Sequence, residues 1–422
     1  MEAATLSWIF VAGVSASYGV RTWLAWRQIR HVAAHRQSVP AAFAATVTAE
    51  AHRKAADYTL AHARLGLVTG ALATAVLIGW TLLGGLDALN TAVRAAVQPR
   101  LGDLAYQVAL FACFALIGAA IELPASWIET FRVEARFGFN RMTPAMWLAD
   151  LAKGMAVAAG LGLPLLALIL WIMEAAGGLW WLWAWAAWVL FVLLMQLLYP
   201  TVIAPLFNRF EPLADAALAE RVRALMARCG FRSRGLFVMD GSRRSAHANA
   251  YFTGLGGSKR VVFYDTLLQR LTPGEVEAVL AHELGHFKRR HVHKQMAGQL
   301  ALALAGLALL GWLSGQPSFY TGLGVAPNAS APNDALALIL FSLALPPFTF
   351  FLTPLLAQLS RRHEFEADAF ACAQADGRDL SRALLKLHED NAATLTPDPL
   401  YVRFYYSHPP AGERLAALPQ PA

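Results

Sequence analysis

Apolar residues in this chain fall into long unbroken runs rather than the alternating or three-to-four spacing of half-buried elements. Seven runs, near residues 5–26, 64–84, 104–127, 154–174, 179–204, 295–313 and 335–359, are long enough to cross a bilayer, which takes roughly 20 helical residues for about 30 Å of hydrocarbon. Each is predicted as a membrane helix, because a helix satisfies its own backbone amides inside lipid. Pro346, Pro347 and Pro354 fall within the seventh run. Each removes a backbone donor and crowds the preceding turn, so this helix is expected to kink or break and to line something rather than lie flat against lipid. Glu122, just before Pro124 in the third run, fits a headgroup-level carboxylate as well as a cavity-lining one.

Between the fifth and sixth runs the pattern becomes that of a water-exposed α+β unit. Residues 214–229 read as an amphipathic helix ending at Gly230, and 235–239 as a short buried strand. Residues 247–253 and 260–264 are β-rich runs flanking the turn chemistry of 255–259, which predicts a hairpin. An extended peptide can add to the free edge of such a hairpin through main-chain hydrogen bonds, although a plain structural hairpin has the same pattern. Next comes Thr272-Pro273-Gly274-Glu275, a helix start with an N-cap, a proline at N1 and a capping-box glutamate at N3. The fold class is therefore mainly α: a polytopic membrane protein with an α+β region, divided into residues 1–205 and 206–422.

Composition agrees with that division. Of 422 residues, 57% are hydrophobic and only 15% charged, with a mean hydropathy of +0.43, which excludes a soluble globular chain. The net charge of +7 and pI near 9.5 do not indicate nucleic acid, because the basic residues flank apolar runs and act as topology determinants. Lys and Arg number six in the first loop, two in the second, four in the third and none in the fourth and sixth. The first and third loops are thus expected on the cytoplasmic side. Seven crossings then place residues 206–293 and the tail from Ser360 together in the cytoplasm. The first apolar run has no basic stretch before it, and Arg21 lies among tryptophans where a cleavage site would fall, so it is expected to remain as an anchor. Cys113, Cys229 and Cys372 are scattered and supply neither a disulfide framework nor a thiolate metal site.

The helix that follows the hairpin carries the chemistry. His282 and His286 are four residues apart, so both face one side of a helix and can share a tetrahedral Zn²⁺. Glu283 is rotated by about 100° and suits the general base for a water at the metal's open position. A third ligand is available in residues 361–368, where Glu364 precedes Asp368 by four. Glu364 is read as that ligand and Asp368 as a carboxylate orienting a ligand histidine. His363 competes with Glu364, since adjacent helix residues diverge and only one can reach the metal. Glu366 faces elsewhere, and His291 and His293, beyond Lys288-Arg289-Arg290, are read as interfacial.

Taken in order, Gly138-Phe139-Asn140, Asn249-Ala250-Tyr251-Phe252, His282-Glu283-Leu284-Gly285-His286, Ser360-Arg361-Arg362-His363-Glu364-Phe365-Glu366-Ala367-Asp368 and Ser407-His408-Pro409-Pro410 resemble the type 1 CAAX prenyl proteases, integral-membrane zinc metalloendopeptidases. The resemblance spans nearly the whole chain. It implies seven helices forming a barrel around a large water-filled intramembrane chamber, with one zinc per chain on His282, His286 and Glu364. It further implies Glu283 as base, a substrate-pairing strand at Asn249-Ala250, His408 as a catalytic donor and Arg414 as polar support on the substrate side. The expected partners are the bilayer and a prenylated or otherwise lipidated peptide. The alanine-rich sequence with short loops suggests a bacterial inner membrane, the endoplasmic reticulum being the eukaryotic equivalent. Two alternatives remain open: a quality-control protease of the HtpX type, which has fewer membrane segments, and a membrane scaffold or carrier with a vestigial site.

Overall fold

The computed structural model describes residues 2–253 and 258–418. Among the described residues seven helical stretches are long and apolar enough to cross a bilayer, one for each run. The first five are α1 (Ala3–His35), α2 (Ala49–Trp80), α3 (Gly85–Ile128), α4 (Pro144–Ala175) and α5 (Trp180–Leu198), and each packs against the next. Glu122 is exposed on α3.

The intervening unit contains β1 (Phe210–Pro212), α6 (Ala216–Arg228), β2 (Arg232–Met239), β3 (Ala250–Thr253) and β4 (Ser258–Tyr264). The sheet order is β1-β2-β4-β3, with β2 and β4 parallel and the other pairs antiparallel. β1 was not expected, and β2 starts three residues before the predicted strand. The predicted hairpin is present as β3 and β4, with Ala250 opposite Phe263 and Thr253 opposite Arg260. Most of its expected turn, residues 255–257, lies outside the described residues. β3 is the edge strand of the described sheet. Tyr264 N–H donates to the Asn249 carbonyl at 3.0 Å, so the ladder's alternation turns the amides of Ala250 and Phe252 away from β4, towards the open edge.

The next helix, α7 (Pro273–Lys288), starts with the predicted capping box: Thr272 Oγ1 accepts from Glu275 N–H at 3.4 Å, and Glu275 Oε2 accepts from Thr272 N–H at 2.8 Å. The sixth membrane helix, α8 (His291–Leu313), follows a reversal at Arg290, whose φ is 58°. The seventh run is broken at its prolines into α9 (Asp334–Ala344), a single turn over Pro346–Thr349, and α10 (Thr353–Gln374). Gln107, buried in α3, accepts from the otherwise unsatisfied Ala335 N–H of α9 at 2.8 Å, which accounts for a polar residue inside an apolar run. The last elements are α11 (Gly377–Asp390), α12 (Pro399–Tyr405) and α13 (Ala411–Ala417).

The membrane helices close into a barrel: α5 packs on α8, α8 on α9, and the Pro346 turn returns to α1. A chamber of about 1290 Å³ is walled by α1, α2, β3, α7, α8, α10, α11 and the tail. α10 leaves the barrel and crosses α7 at close range. A Cβ added at Gly285 would lie 3.1 Å from Ala367 Cα and 3.2 Å from Phe370 Cβ. Gly285→Val is therefore expected to overpack this crossing and destabilise the chain by about 1–3 kcal/mol. Gly298→Ala on α8, with open space around it, should leave thermal unfolding in detergent unchanged.

Candidate active site

The α7–α10 crossing brings Glu364 to His282 and His286, which lie 82 and 78 positions earlier in the sequence. His282 Nε2 lies 3.2 Å from His286 Nε2 and 3.5 Å from Glu364 Oε2, and His286 Nε2 lies 3.4 Å from Glu364 Oε1. Donors about 2.0 Å from a tetrahedral ion stand about 3.3 Å apart, so these three form one face of such a site. Among the described residues Glu364 Oε2 is buried without a hydrogen-bond partner; Arg414 Nη1 stands 3.5 Å away outside hydrogen-bond geometry, so the oxygen's lone pairs are open to a metal ion. The donor set thus fits a metal ion.

Each imidazole is also held from behind. His282 Nδ1 donates to Asp368 Oδ1 at 2.8 Å, and Asp368 is gripped by Arg414 through Nε and a second guanidinium nitrogen. Burial opposes charge on His282, but the carboxylates of Asp368 and Glu364 outweigh it and raise its pKa to about 9. In the absence of metal this ring holds a proton that an incoming cation must displace. His286 Nδ1 lies 3.1 Å from His291 Nδ1, and His291 Nε2 lies 3.1 Å from Glu366 Oε2.

One sequence expectation changes here. His291 is not interfacial: it is 1% exposed and touches His286, because the left-handed turn at Arg290 folds the start of α8 back under α7. Glu366 faces away from the donor set and the chamber, as expected, with its carboxylate on this histidine. Arg414 lines the chamber, with Nε and Nη2 bonded to Asp368 and Nη1 3.5 Å from Glu364 Oε2. No helical spacing connects His286 with His291, so periodicity carried no signal for this contact. His293 is exposed, as an interfacial residue would be. His363, the competing ligand, stacks on His291 with ring centroids 4.0 Å apart and planes 11° apart, outside the donor set.

Glu283 is half-buried on the chamber wall beside the two histidines. His408 also lines the chamber, its Nε2 3.4 Å from Glu364 Oε1. Asn249 and Ala250 border the same chamber, and Ala250 N–H donates to the Asn249 side-chain oxygen at 2.8 Å. The segment before them is clamped. His247 Nδ1 lies 3.1 Å from Asn391 Oδ1, and its ring stacks on Phe139 at 4.3 Å. Asn140 meanwhile pairs with Ser245 in an isolated bridge. The motif Gly138-Phe139-Asn140 thereby anchors the approach to β3.

Residues 28–209 match the family model described as CAAX prenyl protease N-terminal, five membrane helices, and residues 212–422 match Peptidase family M48. The chain belongs to the CAAX prenyl protease 1 family, within peptidase family M48. This M48 chain is 30% identical to CAAX prenyl protease 1 of Saccharomyces cerevisiae over 436 aligned positions, covering 97% of the chain and 94% of the relative. It is 36% identical to the Arabidopsis thaliana homologue, with 76% and 77% covered, and 32% identical to the Homo sapiens homologue, with 72% and 71% covered. The crystal structure of S. mikatae Ste24p superposes with a TM-score of 0.91 at 28% identity, covering 98% of each chain. The protein is accordingly a multi-pass membrane metalloendopeptidase, and neither the quality-control nor the vestigial-scaffold alternative is favoured.

The geometry separates the two competing ligands. Glu364→Ala is expected to weaken metal binding more than the roughly 10–100-fold typical of losing an orienting partner. His363→Ala should retain metal at stoichiometric concentrations, and metal analysis of the purified variants distinguishes them.

Proposed function

We propose that the chain binds one zinc ion on His282, His286 and Glu364 and hydrolyses a peptide bond near the C-terminus of prenylated CAAX-type or similarly lipidated hydrophobic peptides. The observation that carries this reading is the three-donor face beside Glu283, opening onto the same chamber as the free edge of β3. The named activity of the relatives supports the substrate class. Residues 1–205 would form the membrane part and 206–422 the peptidase part. The positive charge of the first and third loops supports a site on the cytoplasmic side, in the inner membrane of a bacterium.

Held by His282, His286 and Glu364, zinc would supply the Lewis acidity to polarise the scissile carbonyl and acidify a water. Glu283 takes the water's proton and returns it to the leaving amine. His408 donates to the developing oxyanion from the chamber side. Asp368 fixes the proton of His282 on Nδ1, keeping Nε2 free as a ligand, and Arg414 holds Asp368 in place. The substrate extends along β3 and bonds to the main chain of Ala250, displacing the Asn249 side chain. Main-chain pairing reads few side chains, so selectivity falls to the chamber and to the lipid group.

Purified protein should cleave a farnesylated CAAX peptide faster than its unprenylated counterpart. Glu283→Gln should lower kcat by about 10²–10⁴-fold with zinc content unchanged; loss of zinc in this variant would instead make Glu283 a ligand. Ala250→Pro removes the edge-facing donor and should abolish nearly all cleavage with zinc retained, whereas Ala250→Ser keeps the backbone donor and much of the activity. Cleavage at the parent's rate by a folded, zinc-loaded proline variant would rule out pairing at β3.

A further inference from the structure

An imidazole that binds a metal through Nε2 must carry its proton on Nδ1 and needs an acceptor there. His282 has a carboxylate in that place, at 2.8 Å. His286 does not: its Nδ1 faces Nδ1 of His291 at 3.1 Å, and His291 passes on to Glu366 through Nε2, also at 3.1 Å. The two histidines belong to different helices, and their contact exists only because the chain reverses at Arg290.

The protons of these three groups have one arrangement consistent with metal binding. With Nε2 of His286 bare, its proton sits on Nδ1 and is donated to His291 Nδ1. His291 then carries its own proton on Nε2, and the Glu366 carboxylate accepts it. In the reverse arrangement His291 would donate to His286, which would move the His286 proton onto its ligand nitrogen and turn a bare His291 nitrogen towards an anionic carboxylate. The charge on Glu366 therefore selects the first arrangement.

We infer that His291 and Glu366 are a positioning pair, a relay that sets the tautomer and ring orientation of His286 for the metal, as Asp368 does for His282. The inference rests on the ligand set proposed above. Its surroundings are those of a fixed device rather than a solvated surface histidine. His291 is 1% exposed, the buried His363 ring stacks parallel on it, and Arg362 Nε stands 3.4 Å from Glu366 Oε1. His363 thus holds the plane of the relay ring while its neighbour Glu364 reaches the metal.

The test measures metal binding rather than hydrolysis, on the full chain in detergent. Zinc affinity is read by chelator competition, ligand geometry by the visible absorption of the cobalt(II)-loaded protein, and folding by melting of the metal-free protein. His291→Leu should weaken zinc affinity by about 10–100-fold and alter the cobalt spectrum, with the metal-free melting point kept. His291→Asn places an amide oxygen near the position of Nδ1, so it should stay within about threefold of the parent. Glu366→Ala, at a half-exposed position where truncation leaves the packing intact, should lose affinity severalfold. Parent-like affinity in His291→Leu or Glu366→Ala overturns the relay, as do equal losses in His291→Leu and His291→Asn, which would indicate packing alone. Parent-like affinity in His286→Ala overturns the ligand set, and the relay with it.

Discussion

The close crossing of α7 and α10 is the contact on which the site depends. A glycine at position 285 and alanines at 367 and 371 remove side-chain bulk where the two helices meet. Glu364 can then approach His282 and His286 to within ligand spacing. Interaxial distance follows the size of the side chains at the contact. A single methyl group at Gly285 would lie 3.1 Å from Ala367 Cα and 3.2 Å from its carbonyl oxygen, so the two helices would have to separate slightly. The residue between the leucine and the second histidine of the motif thus helps set the spacing of the three candidate donors.

The membrane barrel meets a different constraint. Lipid offers no hydrogen bonds, so breaks in a membrane helix are tolerated where other protein groups re-satisfy the backbone. The prolines of the seventh run lie where the chain turns back onto α1, and Gln107 satisfies the amide of Ala335 in the first turn of α9. Beyond the break, α10 continues from the barrel into the peptidase unit and carries Glu364 with it. The last helix of the seventh run therefore also carries the third candidate donor, so the position of Glu364 depends on how that part of the run packs.

Much of this was legible in the sequence, because the signals were local. Long apolar runs locate the crossings, and an i, i+4 pair puts His282 and His286 on one helix face. The Thr272–Glu275 capping box fixes where that helix starts. Non-local features were not legible. The contact between His286 and His291 depends on a left-handed residue at Arg290, and nothing in local propensity requires a non-glycine residue to adopt that conformation. Arg414 pointed to the site only through resemblance, since its pairing with Asp368 closes a loop of 46 residues. β1 is three residues long and forms only against β2, so it had no period to detect.

The C-terminal tail binds the molecule at two distant places. Asp398 accepts from Arg27 through its carboxylate and donates its backbone N–H to Gln28, both on the first membrane helix, while Arg414 grips Asp368 behind the metal donors. A chain emerges from the ribosome N-terminus first, so α1 is inserted long before its partner at 398 exists. His282, His286 and Glu364 likewise exist before Arg414 can brace the carboxylate that orients them. The bond between Arg414 and Asp368 therefore forms only after all seven membrane helices have been synthesised.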